Sequence, residues 1–515
     1  MRRVFCFALL VTSLSAENNG QLWWKHVQFL ADDKLEGRNT GSEGHRQAAA
    51  YVAAEFERLG LAAAGTQGYM QPVKFSTRQI DEPNSKLGIV REGKTVPVEL
   101  GKQAYFGLRT DPAPAVQAPM VFVGYGLRVP EMQHDDLKGL NLKGKIAVMF
   151  SGAPKGWPGP LSAHVQSGDV RWEPLRKMGA IGLITIPRVQ TVPWVRASAS
   201  RLQASMTAIS EEAGQQVSIT FNPEQADVLF AGSGHTVKEL LDLAAAEKPL
   251  PKFPLQGELT ATIAVKRGEV ESPNVAAKLE GAHPKRKNEY IVVSAHLDHL
   301  GKMTTFAGDG IFNGALDNAS GVAAMLEVAR QLKAGRPLER SVLFVAVTGE
   351  EKGLQGSRFF ARNPTVPAKQ LIANCNMDMF MPLHALKFLT MLGIDESTLG
   401  DTAREVAKEF NLPVLPDPIP EQRRFIRSDQ YSFIRAGIPS LAFKFGYEKG
   451  SPEEALQAEW LKSRYHAVSD DLAQPVDIAA AGRFTEYLAA LVARTANQPR
   501  RPAWKSDSFF KRFAK

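Results

Sequence analysis

The chain has 515 residues, long enough for two or three domains and a large core. Its 44% hydrophobic and 23% charged residues are the fractions of an ordinary soluble protein. The formal charge of +8 drops to +6 without Arg2 and Arg3, a mild excess for this size that argues against a nucleic-acid partner.

Residues 1–16 read as a secretory signal. Arg2 and Arg3 form a charged start, Val4 to Leu14 a short apolar run, and small residues offer cleavage after Ala16. That run is too short to span a bilayer comfortably, so no stable membrane insertion is expected. The expected location is secreted or periplasmic. After cleavage Cys375 is the only cysteine, which rules out an intrachain disulfide.

From Gln21 the chain reads QLWWKHVQFLADDKLEGRNTGSEG, ending in a turn with an N-cap signal. His45 to Leu61 follows as an amphipathic helix with Ala48, Val52, Phe56 and Leu59 on one side. Tyr69 to Gly107 looks like short strands and loops. Ala115 to Leu259 alternates strands (PMVFVGYGL, IAVMF, IGLITI) with a helix at RWEPLRKMGA. It carries no catalytic spacing, and His134 and His164 read as surface histidines. The organisation expected is 17–114 as the first part of a main domain, 115–259 as an insert, 260–497 as the remainder, and 498–515 as a basic tail.

The chain is organised around Tyr290 to Arg330. A β-branched run from Tyr290 to Val293 delivers His296 and Asp298 where a buried strand should stop. A glycine-containing loop leads to Asp317 and then to a helix from near Ala319, with Val322, Met325, Leu326, Ala329 and Leu332 on one face. Ser341 to Val347 is another buried strand, ending in Thr348, Gly349, Glu350 and Glu351. LIANCNMDMF ends near Asp378, and IPSLAFKFG precedes a loop carrying Tyr465, His466 and Asp470. Strands alternating with helices predict an α/β fold with a mostly parallel mixed sheet flanked by helices. In such a sheet, ligands bind at the carboxyl ends of the strands.

Taken singly, a His-x-Asp at a strand end is usually incidental, a Glu-Glu pair is usually a solvated face, and His299 reads as a loop histidine. Together, in order and each at a strand end, they point to metal. Imidazole and carboxylate suit zinc. Five ligands are too many for one tetrahedral zinc with an open position, and suit two zincs sharing a carboxylate. Without cations, several carboxylates in one dry cleft could not all stay ionised.

The ordered set SAHLDHLG, GALDNASG, TGEEKGLQGS, NMDM and YHAVSD resembles the di-zinc aminopeptidase family, which also includes glutamate carboxypeptidase and secreted glutaminyl cyclases. The LADDKLEGRNTGSEG opening is similar to the family's N-terminal signature, and 115–259 looks like an inserted, β-rich protease-associated domain. The resemblance implies two Zn2+ ions with Asp317 as the bridge. Glu351 and His466 would complete one metal, and His296 and Asp378 the other. It implies that Asp298 takes the imidazole N–H of His296 and that Glu350 is the general base. It also implies a cis peptide bond at Asp317–Asn318. Leu316 stands where the family often has Asp. Ser428, Asp429, Tyr431 and Phe433 lie where related enzymes place part of the substrate pocket, with Tyr465 nearby. Gln430 replaces the more usual His, and a helix start capped by Ser428 is the alternative reading.

The implied activity is that of a secreted exopeptidase, an aminopeptidase in which a metal-bound hydroxide attacks the first peptide carbonyl of a peptide substrate. The alternatives are a glutaminyl cyclase, which would hold one zinc, a carboxypeptidase using Arg423, Arg424 and Arg427, or a binding protein with a dead site.

Overall fold

The computed structural model describes residues 2–188, 193–210, 212–303 and 308–514, except for the side chains of 2–15, 196, 200 and 421. The side chains of the expected signal segment, Ala16 apart, therefore lie outside the described residues. No helix among the described residues is long and apolar enough to cross a membrane.

Two compact units divide the chain: residues 1–74 with 271–515, and residues 75–270. Both boundaries fall inside long strands, Met70–Ile80 and Val265–Leu279. The second unit is wider than the expected 115–259. The cause is strand pairing: Lys86–Arg91 and Lys94–Pro97 join a sheet through Phe253–Thr262, with Leu87 opposite Ala261.

The first unit is built on a mixed sheet. From Val265–Leu279 the order runs Ser341–Val347, Tyr290–His296, Leu371–Asn376, Ser440–Gly446, Phe388–Leu392 and Val414–Leu415. The middle four are mutually parallel, and their neighbours on either side are antiparallel. Every residue of Tyr290–His296 and Ser341–Val347 is buried. Unbroken apolar runs such as VLFVAV suit this position, where helices cover both faces and neither can be polar.

Helices Arg2–Leu30, Ser320–Ala334 and Ile478–Asn497 pack together. Glycine makes the closest contact possible: a Cβ on Gly482 would lie 1.9 Å from the Ala16 carbonyl oxygen. Helix Glu43–Arg58 begins two residues before the expected start, because Ser42 Oγ accepts the His45 N–H at 3.1 Å and fixes the cap.

The expected basic tail is folded. Trp504 donates to the Gly437 carbonyl at 2.9 Å, Arg501 pairs with Glu289 and Lys505 with Asp401, and Phe510 is fully buried. Its aromatic residues outweigh its charge.

The second unit carries an eight-stranded sheet. Ala115–Phe122, Ile146–Phe150, Gly182–Ile186 and Val217–Phe221 run parallel at its centre. His164, expected at the surface, is buried in helix Gly159–Val165 beside Leu161 and Ala163. His134 is partly covered by Trp157 and lies 3.0 Å from Asp136 Oδ2. Neither behaves as a free surface side chain.

Candidate metal centre

The parallel strands of the first unit end on one side, and the loops leaving them carry the predicted residues. His296 closes its strand, Glu350 and Glu351 follow Val347, and Asp378 follows Asn376. Asp317 lies in the turn Ala315–Ala319 just ahead of helix Ser320–Ala334, and the Asp317–Asn318 peptide bond is cis. His466 stands in the loop between helices Pro452–Ser463 and Ile478–Asn497.

These side chains converge around one carboxylate. Asp317 Oδ1 is 3.3 Å from His296 Nε2, and Asp317 Oδ2 is 3.2 Å from His466 Nε2. His296 Nε2 lies 3.6 Å from Asp378 Oδ1, and His466 Nε2 lies 3.3 Å from Glu351 Oε2. The two oxygens of Asp317 thus face two different histidine–carboxylate pairs. His296, Asp317 and Asp378 offer ligand atoms within 4.8 Å of one another, and so do His299, Asp317 and Glu351.

His299 was expected to be a loop histidine. It is fully buried, with Nδ1 2.9 Å from Glu351 Oε1. The loop turns back under the cluster because the His299 N–H donates to the Arg38 carbonyl at 3.2 Å. The signal was available in the sequence: His296 and His299 stand three apart, and a turn at a strand end can bring such residues to one side.

The electrostatics are those of a site built for cations. Burial works against the ionised form of Asp317, yet His296 and His466 outweigh it and hold the carboxyl well below its usual range. Burial also opposes the charged ring of His466, but Glu351 and Asp317 raise it. Glu350 has no such compensation: burial, with Glu351 and Asp429 nearby, pushes it well above the ordinary carboxylate value despite His296. Asp378 Oδ1 and His299 Nε2 have no hydrogen-bond partner, and Glu351 Oε1 and His299 Nδ1 have only their contact with each other. Orphaned buried oxygens and nitrogens of this kind fit divalent zinc, whose ligands they match.

Asp298 departs from its expected role. His296 Nδ1 meets the backbone oxygen of Asp298 at 3.1 Å, not its carboxylate. The carboxylate instead accepts the N–H groups of Glu350 (3.0 Å) and Glu351 (3.3 Å) and the Thr40 hydroxyl (2.9 Å). One residue therefore fixes the imidazole through its main chain and the Glu-Glu turn through its side chain.

Three side chains brace the centre through backbone groups: Arg38, Asp470 and Asn318. Arg38, buried, donates to the carbonyls of Leu297 (3.0 Å), Asn313 (2.7 Å), Gly314 (3.0 Å) and Leu30. Asp470 accepts the N–H groups of Leu316 (2.9 Å) and Asp317 (3.0 Å). Asn318 ties the turn to the next loop, donating to the Met377 carbonyl and accepting from Met379 N–H. These are backbone contacts, for which no residue spacing gives a sign. Leu316 packs among Met379, Met381 and Trp460.

The expected pocket residues divide. Tyr465 stacks on His466 with centroids 3.9 Å apart. Ser428 does not cap a helix; its Oγ accepts from Asn376 Nδ2 at 2.9 Å. Asp429 is fully buried, and burial raises its carboxyl to about 7. Tyr431 is buried, its ring set against Phe425. Phe433 belongs to the core with Phe360. Gln430 donates to the Phe425 carbonyl at 2.9 Å and accepts from Asn376 at 3.1 Å.

Residues 274–492 match the model for peptidase family M28. A probable zinc metalloprotease of Pyrenophora teres is 23% identical over 74% of this chain and 82% of its own length. The alkaline phosphatase isozyme conversion protein of Escherichia coli is 27% identical over 39% of this chain, and the match spans 64% of that protein. A probable zinc metalloprotease of Pyricularia oryzae is 38% identical over 20% of this chain and 21% of its own length. Among solved structures, an aminopeptidase from Aneurinibacillus has the same fold, with a TM-score of 0.58 at 20% identity over 95% of this chain and 97% of that one.

Proposed function

We propose, from the premise that the domain over residues 274–492 belongs to peptidase family M28, that this chain is an exported two-zinc aminopeptidase. The observation that carries the reading is Asp317, whose two oxygens face separate histidine–carboxylate pairs. His296 and Asp378 would hold one ion, Glu351 and His466 the other, and Asp317 both, with His299 against Glu351. Zinc there would supply a Lewis acid for the scissile carbonyl and would lower the pKa of a water.

The chain's own groups do the rest. Glu350 accepts a proton from the attacking water and returns it to the leaving amine, a role favoured by a carboxyl that burial raises well above its ordinary range. Asp298 holds the backbone of both glutamates, which sets Glu350 apart from its neighbour. Tyr465, assigned to the substrate pocket, is supported there by its stacking on His466. Export rests on Arg2, Arg3 and the apolar run after them.

The test is a panel of short peptides with free, blocked and amidated ends, assayed with zinc content measured alongside. Cleavage of the first bond only when the amine is free supports the reading. Cleavage of N-blocked peptides from the carboxyl end would favour a carboxypeptidase. Cyclisation of N-terminal glutamine would favour a glutaminyl cyclase.

A further inference from the structure

One cation beside the centre pairs with no acid among the described residues. Arg427 is exposed and donates from Nη2 to the Tyr465 hydroxyl at 3.1 Å. Tyr465 in turn lies on the His466 ring. A guanidinium has five N–H donors, and no described carboxylate pairs with this one. Its neighbours are occupied elsewhere or share its sign. Arg424 pairs with Asp417. Lys444 donates to the carbonyls of Asp378 and Met379. Arg423 is close enough to feel the charge of Arg427.

The turn that carries the arginine is tied down through its backbone, the Arg427 N–H donating to the Arg424 carbonyl at 3.3 Å. Gln430 donates to the Phe425 carbonyl and is itself held by Asn376, at the end of the strand that leads to Asp378. The Arg427 guanidinium thus lies one tyrosine side chain away from the His466 ring of the candidate centre. A substrate's terminal ammonium would be repelled from it, so a bound peptide would turn its opposite end that way.

We infer that Arg427 is a specificity residue that binds a substrate carboxylate just beyond the scissile bond. This rests on the exopeptidase reading above and names its substrate class: short peptides ending there, or peptides with an acidic residue there. A planar guanidinium suits a carboxylate, because two parallel N–H groups can meet its two oxygens.

The test uses zinc-loaded protein and two matched pairs: leucylglycine against its amide, and leucylglutamate amide against leucylglutamine amide. A charge-assisted contact predicts that at least one acid is favoured over its neutral partner by about tenfold or more in kcat/KM. Preference in the first pair assigns the C-terminal carboxylate, and in the second an acidic side chain. Arg427→Gln should bring that ratio close to one, and Arg427→Lys should restore part of it. A ratio near one in the wild type, or a ratio unchanged in Arg427→Gln, overturns the inference. Equal losses on acid and neutral substrate would do the same, since they would mean that Arg427 acts only by holding Tyr465. Calorimetric binding of the same pairs reads the ratio without turnover. Acid-selective binding that Arg427→Gln abolishes, in protein that cleaves none of the four, would sink the exopeptidase reading and leave the carboxylate site standing.

Discussion

Glu350 and Glu351 are adjacent, yet their surroundings give them different work. Glu351 faces His466 and His299, while Glu350 sits in a desolvated position with a raised carboxyl. Glu350→Gln keeps the shape but cannot take a proton. It should retain its zinc while turnover falls by about a hundredfold or more. Glu351→Gln should instead lose zinc, with partial recovery when zinc is added. Metal content and turnover in the two variants check this, and the opposite pattern would reverse the assignment.

His45 makes a separate prediction about acid stability. Burial, then Arg38 and Arg46, lower its pKa to about 3, and its Nδ1 meets Ser272 Oγ at 3.2 Å. The folded value lies below the ordinary 6.5, so the unfolded chain binds the extra proton between those limits. Stability should therefore fall as pH drops from 6.5 toward 3, by about 1.4 kcal/mol per pH unit from this residue. In chelator-treated protein, His45→Gln should show a shallower acid limb in denaturant melts. An identical slope would remove His45 from the account.

At the scale of elements, the strands and the order of the motifs were legible because their signals are local. Ser341–Val347 is an unbroken apolar run, and helix Ser320–Ala334 repeats its apolar residues at helical spacing. The residues that hold these pieces together were not legible. Arg38 joins loops more than 250 positions away through carbonyl oxygens, and those look alike in every residue. The tail's charge is conspicuous in the sequence, whereas its burial depends on Phe510 packing against Phe425 as well as against the tail's own rings. Arg38→Lys cannot reach four carbonyls and should cost about 2–3 kcal/mol, the scale of buried acceptors left unpaired. Its thermal melt should be lower, and its zinc should exchange faster. Phe510→Ala should cost about 3 kcal/mol by opening a cavity, read as a lower melting temperature. A melt unchanged from wild type would mean that the tail is not part of the fold's core.

For the whole molecule, every residue of the proposed centre lies in the unit formed by 1–74 and 271–515. A chain in which a flexible linker replaces residues 75–270 should therefore still bind zinc. A folded variant of that kind without zinc would show that the second unit is needed to build the centre. Bound zinc should also stabilise the fold, since ligands that bind only the native state shift unfolding by mass action. Chelation should accordingly lower the melting temperature and abolish turnover together. The zinc-to-protein ratio of fully active enzyme, followed as zinc is returned to the chelated protein, decides how many ions the centre holds. Two ions per chain at full activity is the result predicted by Asp317 as a shared ligand. Full turnover at one ion per chain, or at none, would contradict it.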